Sequence, residues 1–190
     1  MNEAVWSIGS VAADPALRMA IAWALAGVFA LGVAHKLGAP SAFLLTLRQY
    51  RVLPGWAQLA AATLVIFSEL AVTAGLVLRP SAAYVGWATL ALLGLYTVAI
   101  AFNLARGRRD IDCGCSGPAL RQTLSGSLLW RNGVLMLLAL CLTAPLSASR
   151  SLHWLDAVAA LAFAGGVLLV YITANQLIAN ERRLTEMLAR

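Results

Sequence analysis

Five apolar runs of about twenty residues constrain this chain more than any other feature: 16–34, 56–78, 82–105, 127–146 and 152–174. A bilayer core takes about 20 consecutive apolar residues per helix, and a helix satisfies every backbone polar group within its own segment, as lipid demands. The pattern predicts an all-α integral membrane protein, a single domain over 1–190 with about five transmembrane helices. Composition agrees: 61% of residues are hydrophobic and 12% charged, where soluble domains carry about 45–50% and ~25%. Too little polar surface remains to coat a water-soluble fold. A soluble enzyme, a disordered chain and a secreted disulfide scaffold are excluded.

The edges of the runs carry helix punctuation. Asp14-Pro15 reads as an N-cap followed by Pro at the first helical position, and Arg79-Pro80-Ser81 breaks the second run from the third. Trp56, Trp87, Trp130 and Trp154 each lie in the first residues of a run, where an aromatic belt meets the lipid headgroups. The first run does not read as a cleavable signal: no basic stretch precedes it, and the small residues Val11-Ala12-Ala13 lie on its N-terminal side. No internal repeat or second domain is visible.

The net charge of +6 comes from 14 basic and 8 acidic residues. In a soluble protein it would suggest nucleic acid; between apolar runs it orients helices instead. Arg18, Arg79 and Arg150 fall on one side of the bundle. Lys36, Arg48, Arg51, Arg106, Arg108, Arg109, Arg121, Arg182, Arg183 and Arg190 fall on the other. The positive-inside rule then predicts a bacterial inner-membrane protein with a periplasmic N-terminus and a cytoplasmic C-terminus. No nucleic-acid partner is expected.

Two of the three cysteines form Cys113-Gly114-Cys115, inside the 106–126 connection. Gly permits the unusual backbone angles that so small a ring requires, and a strained, accessible disulfide is the labile, exchanging kind. Arg106, Arg108, Arg109 and Arg121 flank the pair, and Ser116-Gly117-Pro118 offers a helix start facing Cys115; both favour thiolate. Asp110 and Asp112 oppose them. Inert loop thiols and a metal clip built from Asp110, Asp112, the two cysteines and His35 are the rival readings. Structural zinc sites usually use two ligand pairs, and an iron–sulfur cluster wants four thiolates, so no metal and no cofactor is expected. Cys141, within the fourth run, reads as a packing residue on the far side of the membrane from the pair.

Glu69 lies midway along the second run, where a lone ionised carboxylate is costly; it must be protonated or paired, and is a functional candidate. Arg131 sits four residues into the fourth run, placed to snorkel to the interface or to reach the cysteine loop or Asp112. His35, Lys36, Asn103 and Asn132 add polar groups at the same end of the helices. Helix–helix hydrogen bonding alone is the bland account of all but Glu69.

These residues form a familiar pattern. Gly32-Val33-Ala34-His35-Lys36-Leu37, then Pro40, Phe43, Tyr50, Leu53-Pro54 and Glu69, resemble the DoxX/MauE membrane families. Asn103-Leu104-Ala105-Arg106-Gly107-Arg108, Ile111-Asp112-Cys113-Gly114-Cys115, Ser125 and Arg131-Asn132 resemble MauE more specifically, over roughly residues 20–135. One departure is Ser116, where that family is expected to place an aromatic. The resemblance implies a DoxX-like four-helix core with one further C-terminal span. It implies thiol–disulfide exchange with a thioredoxin-like, MauD-like partner. The implied client is the disulfide-dense periplasmic β-subunit of methylamine dehydrogenase, which this protein would help mature. Cys113 and Cys115 would be the redox pair, with Glu69, Lys36, Asp112, Arg131, Asn132 and Arg108 in support.

Charge places the pair in the cytoplasm, whereas such a client folds in the periplasm. Either the nearly uncharged stretch 113–120 dips into the membrane as part of a relay, or the loop is outside, or the protein docks its partner and draws electrons from cytoplasmic thioredoxin. Two other functions stand beside maturation by exchange. One is a quinone-linked disulfide oxidase of the DsbB or VKOR type, for which a second cysteine pair is missing. The other is a non-enzymatic scaffold or metal-binding assembly factor.

Overall fold

The computed structural model describes residues 14–114, 122–144 and 151–188, the last eight as backbone. The fold is all-helical. The elements are α1 (Pro15–Gly38), α2 (Pro40–Tyr50), a 3-10 turn (Gly55–Ala57), α3 (Gln58–Leu78), α4 (Ala83–Ala105), α5 (Gly126–Cys141) and α6 (Trp154–Leu188). Four of them, α1, α3 (with the turn before it), α4 and α6, are long and apolar enough to cross a membrane; α5 is a shorter apolar helix. This is the architecture of a multi-pass membrane bundle.

Helix α1 starts where the sequence says it should. Asp14 Oδ1 accepts from the backbone N–H of Ala16 and Leu17 at 2.8 and 3.2 Å, with Pro15 supplying a first position that needs no donor partner. It is the central helix, with 61% of its membrane window buried, packed against α3 and α6. At the other extreme α6 has only 11% buried: it lies along α1 and turns most of its surface outward. Pairs α3–α4 and α4–α5 complete the bundle. The core runs through Leu25, Phe29, Leu76, Leu93, Leu135 and Leu142. Large apolar side chains such as Leu64, Phe67, Val98, Leu137 and Leu169 are exposed on every outer helix, as a lipid-facing surface requires. Trp56, Trp87, Trp130 and Trp154 are all exposed near helix starts, in keeping with an aromatic belt.

Three boundaries differ from the apolar-run reading. A short helix, α2, occupies the connection after α1; Pro40 opens it, and Arg51 closes it in the left-handed conformation at φ 50°. It is too short and too polar to register as a span. The fourth run yields helix only to Cys141, with a turn to Ala144; residues 145–150 lie outside the described set. Its 16 residues span about 24 Å, short of the ~30 Å hydrocarbon core. Helix α6 instead continues to Leu188, because no Gly or Pro follows Gly166 to stop it. Beyond Asn175 it extends about 20 Å further, on the side of the cysteine loop.

At the end opposite that loop, Arg18 is fully buried. Its Nη1 donates to the carbonyls of Cys141 (3.3 Å) and Ala144 (2.5 Å), and its Nη2 to those of Leu142 (2.5 Å) and Ser81 (3.3 Å). One guanidinium thus caps the C-terminus of α5, where orphan carbonyls gather negative partial charge, and ties it to the α3–α4 turn. Gly86 makes the approach possible, since a Cβ there would sit 2.9–3.0 Å from atoms of Leu142.

Candidate functional site

The 106–125 connection is drawn onto the end of the bundle. After α4, Arg108 turns back: its backbone N–H donates to Asn103 O, and its Nη1 donates to Asn103 Oδ1 and Tyr50 O, both at 3.3 Å. Two backbone bonds then pair the two arms of the loop, Cys113 N–H to Gln122 O at 2.7 Å and Leu124 N–H to Ile111 O at 3.0 Å. They frame the isolated antiparallel bridge between Asp112 and Thr123. Asp112 Oδ1 accepts from the N–H of Gly114 and of Gln122, setting the bend at 112–114.

Gly114 carries the bend on two grounds. Its φ of +75° belongs to the left-handed region, and a Cβ would meet Thr46 Cγ2 at 3.0 Å, so helix α2 lies directly against the turn. Cys113 is not displayed on the surface. It is 8% exposed, packed with Tyr50, Ile100, Ile111, Leu124 and Leu128, and its carbonyl accepts from Tyr50 Oη at 3.4 Å. Exposure of the loop thiol, assumed in the sequence reading, is corrected here for Cys113: α2, unseen as an element in the sequence, covers it. Cys115, Ser116, Gly117, Pro118 and Arg121 lie outside the described residues, and with them the helix start expected at 116–118.

Beneath the turn lies the Glu69–Lys36 ion pair. Lys36 Nζ reaches Glu69 Oε1 at 2.8 Å and Oε2 at 2.9 Å, with both side chains 3% exposed. Tyr96 Oη donates to Glu69 Oε1 at 2.5 Å, and the ammonium also lies 5.3 and 5.6 Å from the ring centroids of Phe43 and Tyr96. Of the two ways to hold a mid-span carboxylate, pairing is the one the protein uses. Two small cavities flank Lys36, each about 30 Å³, room for roughly two waters. The outer one is lined by His35, Lys36, Phe43, Thr46, Asp112 and Gly114, among others, so it opens on the cysteine turn. The inner one brings together Lys36, Glu69, Tyr96, Arg131, Asn132 and Tyr171.

Arg131 reaches the loop rather than the water. Its Nη1 donates to Asn175 Oδ1 at 2.8 Å and to Gln122 Oε1 at 3.3 Å; its Nη2 donates to Asn132 Oδ1 at 3.4 Å, and the guanidinium lies over the Tyr171 ring at 5.4 Å. Gln122 in turn donates to Asn175 O at 2.8 Å, and Asn132 Nδ2 donates to Thr97 Oγ1 at 3.4 Å. The cysteine turn therefore approaches the inner cavity from two sides. On one, Asp112 and Gly114 line the outer cavity with Lys36, which pairs with Glu69; on the other, hydrogen bonds run from Cys113 through Gln122 to Arg131.

Of the six residues expected in support, Asp112 lies in the turn, Lys36, Glu69, Arg131 and Asn132 line the cavities beneath it, and Arg108 reaches Tyr50 O beside it. Cys141 lies apart from them: it sits about 22 Å along α5 from the helix start, half-buried, its Sγ against Leu137 O. His35 lines the outer cavity, but among the described residues no three of His, Cys, Asp and Glu come together. Sequence reasoning gave no place at the site to Tyr50, Tyr96, Gln122 and Asn175, and no structural part to Arg18. Arg18 had a usable signal, a strongly polar residue inside an apolar run; Asn175 lies just past the end of the fifth run, and a lone Tyr in a span has none.

The profile of the family described as methylamine utilisation protein MauE matches residues 14–145, the whole stretch from the start of α1 to the end of α5. The chain belongs to the MauE family. Its relatives include the methylamine utilization protein MauE of Paracoccus versutus, 36% identical over 86% of this chain and 88% of the relative. The MauE of Paracoccus denitrificans is 34% identical over 87% and 91%, and that of Methylorubrum extorquens 33% identical over 70% and 71%. No solved structure matches the chain. The match to the MauE family takes in the cysteine turn, Glu69, Lys36 and Arg131 together, and leaves α6 outside it.

Proposed function

We propose that this MauE-family protein serves methylamine utilisation as a maturation factor of the inner membrane, acting on the β-subunit of methylamine dehydrogenase through thiol–disulfide exchange at Cys113 and Cys115. A thioredoxin-like, MauD-like protein is the exchange partner. In the exchange a thiolate of the pair attacks one sulfur of the partner's disulfide, and the other partner sulfur leaves as thiolate and takes a proton. The second cysteine then resolves the mixed disulfide. Two electrons pass from the chain to the partner, or the reverse, with no net change in protons. The observation that carries this reading is the turn itself: Asp112-Cys113-Gly114 lies against α2, with Gly114 in the left-handed conformation, shares one cavity with Lys36 of a buried ion pair, and is tied through Gln122 to Arg131 at the cavity that holds that pair. A loop without chemistry has no need of either connection.

The basic residues favour a cytoplasmic face for the turn, with the N-terminus periplasmic. Its burial against the bundle supports a turn drawn towards the membrane, as a relay to a periplasmic client requires. The test is the Cys113→Ser/Cys115→Ser variant in cells grown on methylamine: the chain accumulates normally and active dehydrogenase is lost. Full dehydrogenase activity in that variant would remove the reading. Labelling by a membrane-impermeant thiol reagent in intact spheroplasts would reverse the orientation.

A further inference from the structure

We infer that Lys36 and Glu69 are positioning residues for the cysteine turn, a buried dipole whose positive end is the nearer to Asp112 and Gly114, the residues that flank Cys113, and sets how readily the Cys113 thiol ionises. The inference rests on the thiol-exchange reading and gives the ion pair its place in it. Lys36 lines both cavities, whereas Glu69 lines only the inner one. Seen from Asp112 and Gly114, the ammonium is therefore the near charge and the carboxylate the far one. The pair is removed from water, both side chains being 3% exposed, so its field on the turn is poorly screened. A cation near a thiol favours the thiolate, and a carboxylate opposes it. Each partner thus has its own sign of effect, which packing alone does not have.

Several other groups among the described residues stand around Cys113. Asp112 is on its own segment, with one oxygen holding the turn. His35 lies beside Lys36 on α1, Tyr50 donates to the Cys113 carbonyl from α2, and Arg108 donates to Tyr50 O. From α5, Arg131 reaches Gln122, whose carbonyl takes the Cys113 N–H; α6 contributes the uncharged Asn175. Of the ionisable groups among these, only the Lys36–Glu69 pair offers two opposite charges that can be removed separately without touching the turn.

The experiment uses the full chain in native membranes, with Cys115→Ser and Cys141→Ser so that Cys113 is the single thiol. The rate of alkylation by iodoacetamide is followed against pH, and its midpoint is the readout. Lys36→Met raises the midpoint by about half a pH unit or more, which is about threefold slower reaction at neutral pH. Glu69→Gln moves it the other way by a smaller amount, the carboxylate being the far charge, and Lys36→Arg keeps it where it was. The plateau rate at high pH stays unchanged in all three, because access to the thiol is unaltered. Should a single variant fail to accumulate, the paired Lys36→Met/Glu69→Gln protein, which leaves no uncompensated charge, must still show a raised midpoint, by the difference between the two single effects. An unmoved midpoint, or a shift of the same sign in Lys36→Met and Glu69→Gln, overturns the inference. Alkylation needs neither partner nor client, so failure here is distinct from failure of the maturation reading.

Discussion

Helix α1 buries a cation at each end, and the two are treated differently. Arg18 at one end meets only backbone carbonyls, four of them, drawn from the end of α5 and the α3–α4 turn. Lys36 at the other end meets a carboxylate, two aromatic rings and two cavities. The first arrangement is close-fitting, with Gly86 admitting the backbone of Leu142 to make it so. It closes a short helix. The second leaves space beside ionisable groups and lies beneath a turn with a reactive residue type. Burial of charge does not by itself signal function; a titratable counter-charge next to room for water does.

That contrast can be broken by mutation. The largest loss of stability is expected for Lys36→Ala, which strands the Glu69 carboxylate: about 3–5 kcal/mol, seen as a lower unfolding temperature in detergent. Lys36→Met combined with Glu69→Gln should recover most of it while a smaller rise in the alkylation midpoint persists. Arg18→Met comes next, at about 2–3 kcal/mol for the charged hydrogen bonds and the carbonyls left behind, and it should leave the Cys113 midpoint untouched. A midpoint shift in Arg18→Met equal to that of Lys36→Met would erase the distinction between the two ends. Gly114→Ala should cost about 1–3 kcal/mol from the left-handed backbone and the contact with Thr46, with loss of exchange exceeding the loss of fold. Smallest is Trp130→Leu, exposed on the lipid-facing side, expected within about 0.5 kcal/mol.

The helical bundle was legible because apolar runs of membrane length have few other uses. Glu69 and Arg131 were legible because charge inside such a run is conspicuous, and Lys36 because it follows the end of one, although the pairing of Lys36 with Glu69 was not: partners 33 residues apart in sequence leave no local trace. Helix α2 was missed since eleven residues of mixed polarity have neither span length nor a strong stop signal. Its absence from the sequence reading is why Cys113 was expected at the surface. The long α6 was cut short for the opposite reason, its apolar run ending near 174 while helix-forming residues continued.

The claim at the centre of this account is that the Cys113-Gly114-Cys115 turn exchanges disulfides with a partner. Its most direct measurement is trapping in methylamine-grown cells, where a single Cys113→Ser or Cys115→Ser variant retains an attacking thiol without its resolving neighbour. The account predicts that one of the two accumulates a reductant-sensitive adduct on non-reducing gels, containing this chain and a thioredoxin-like protein, absent from the double variant. No adduct from either single variant, with dehydrogenase maturation intact in both, would contradict it.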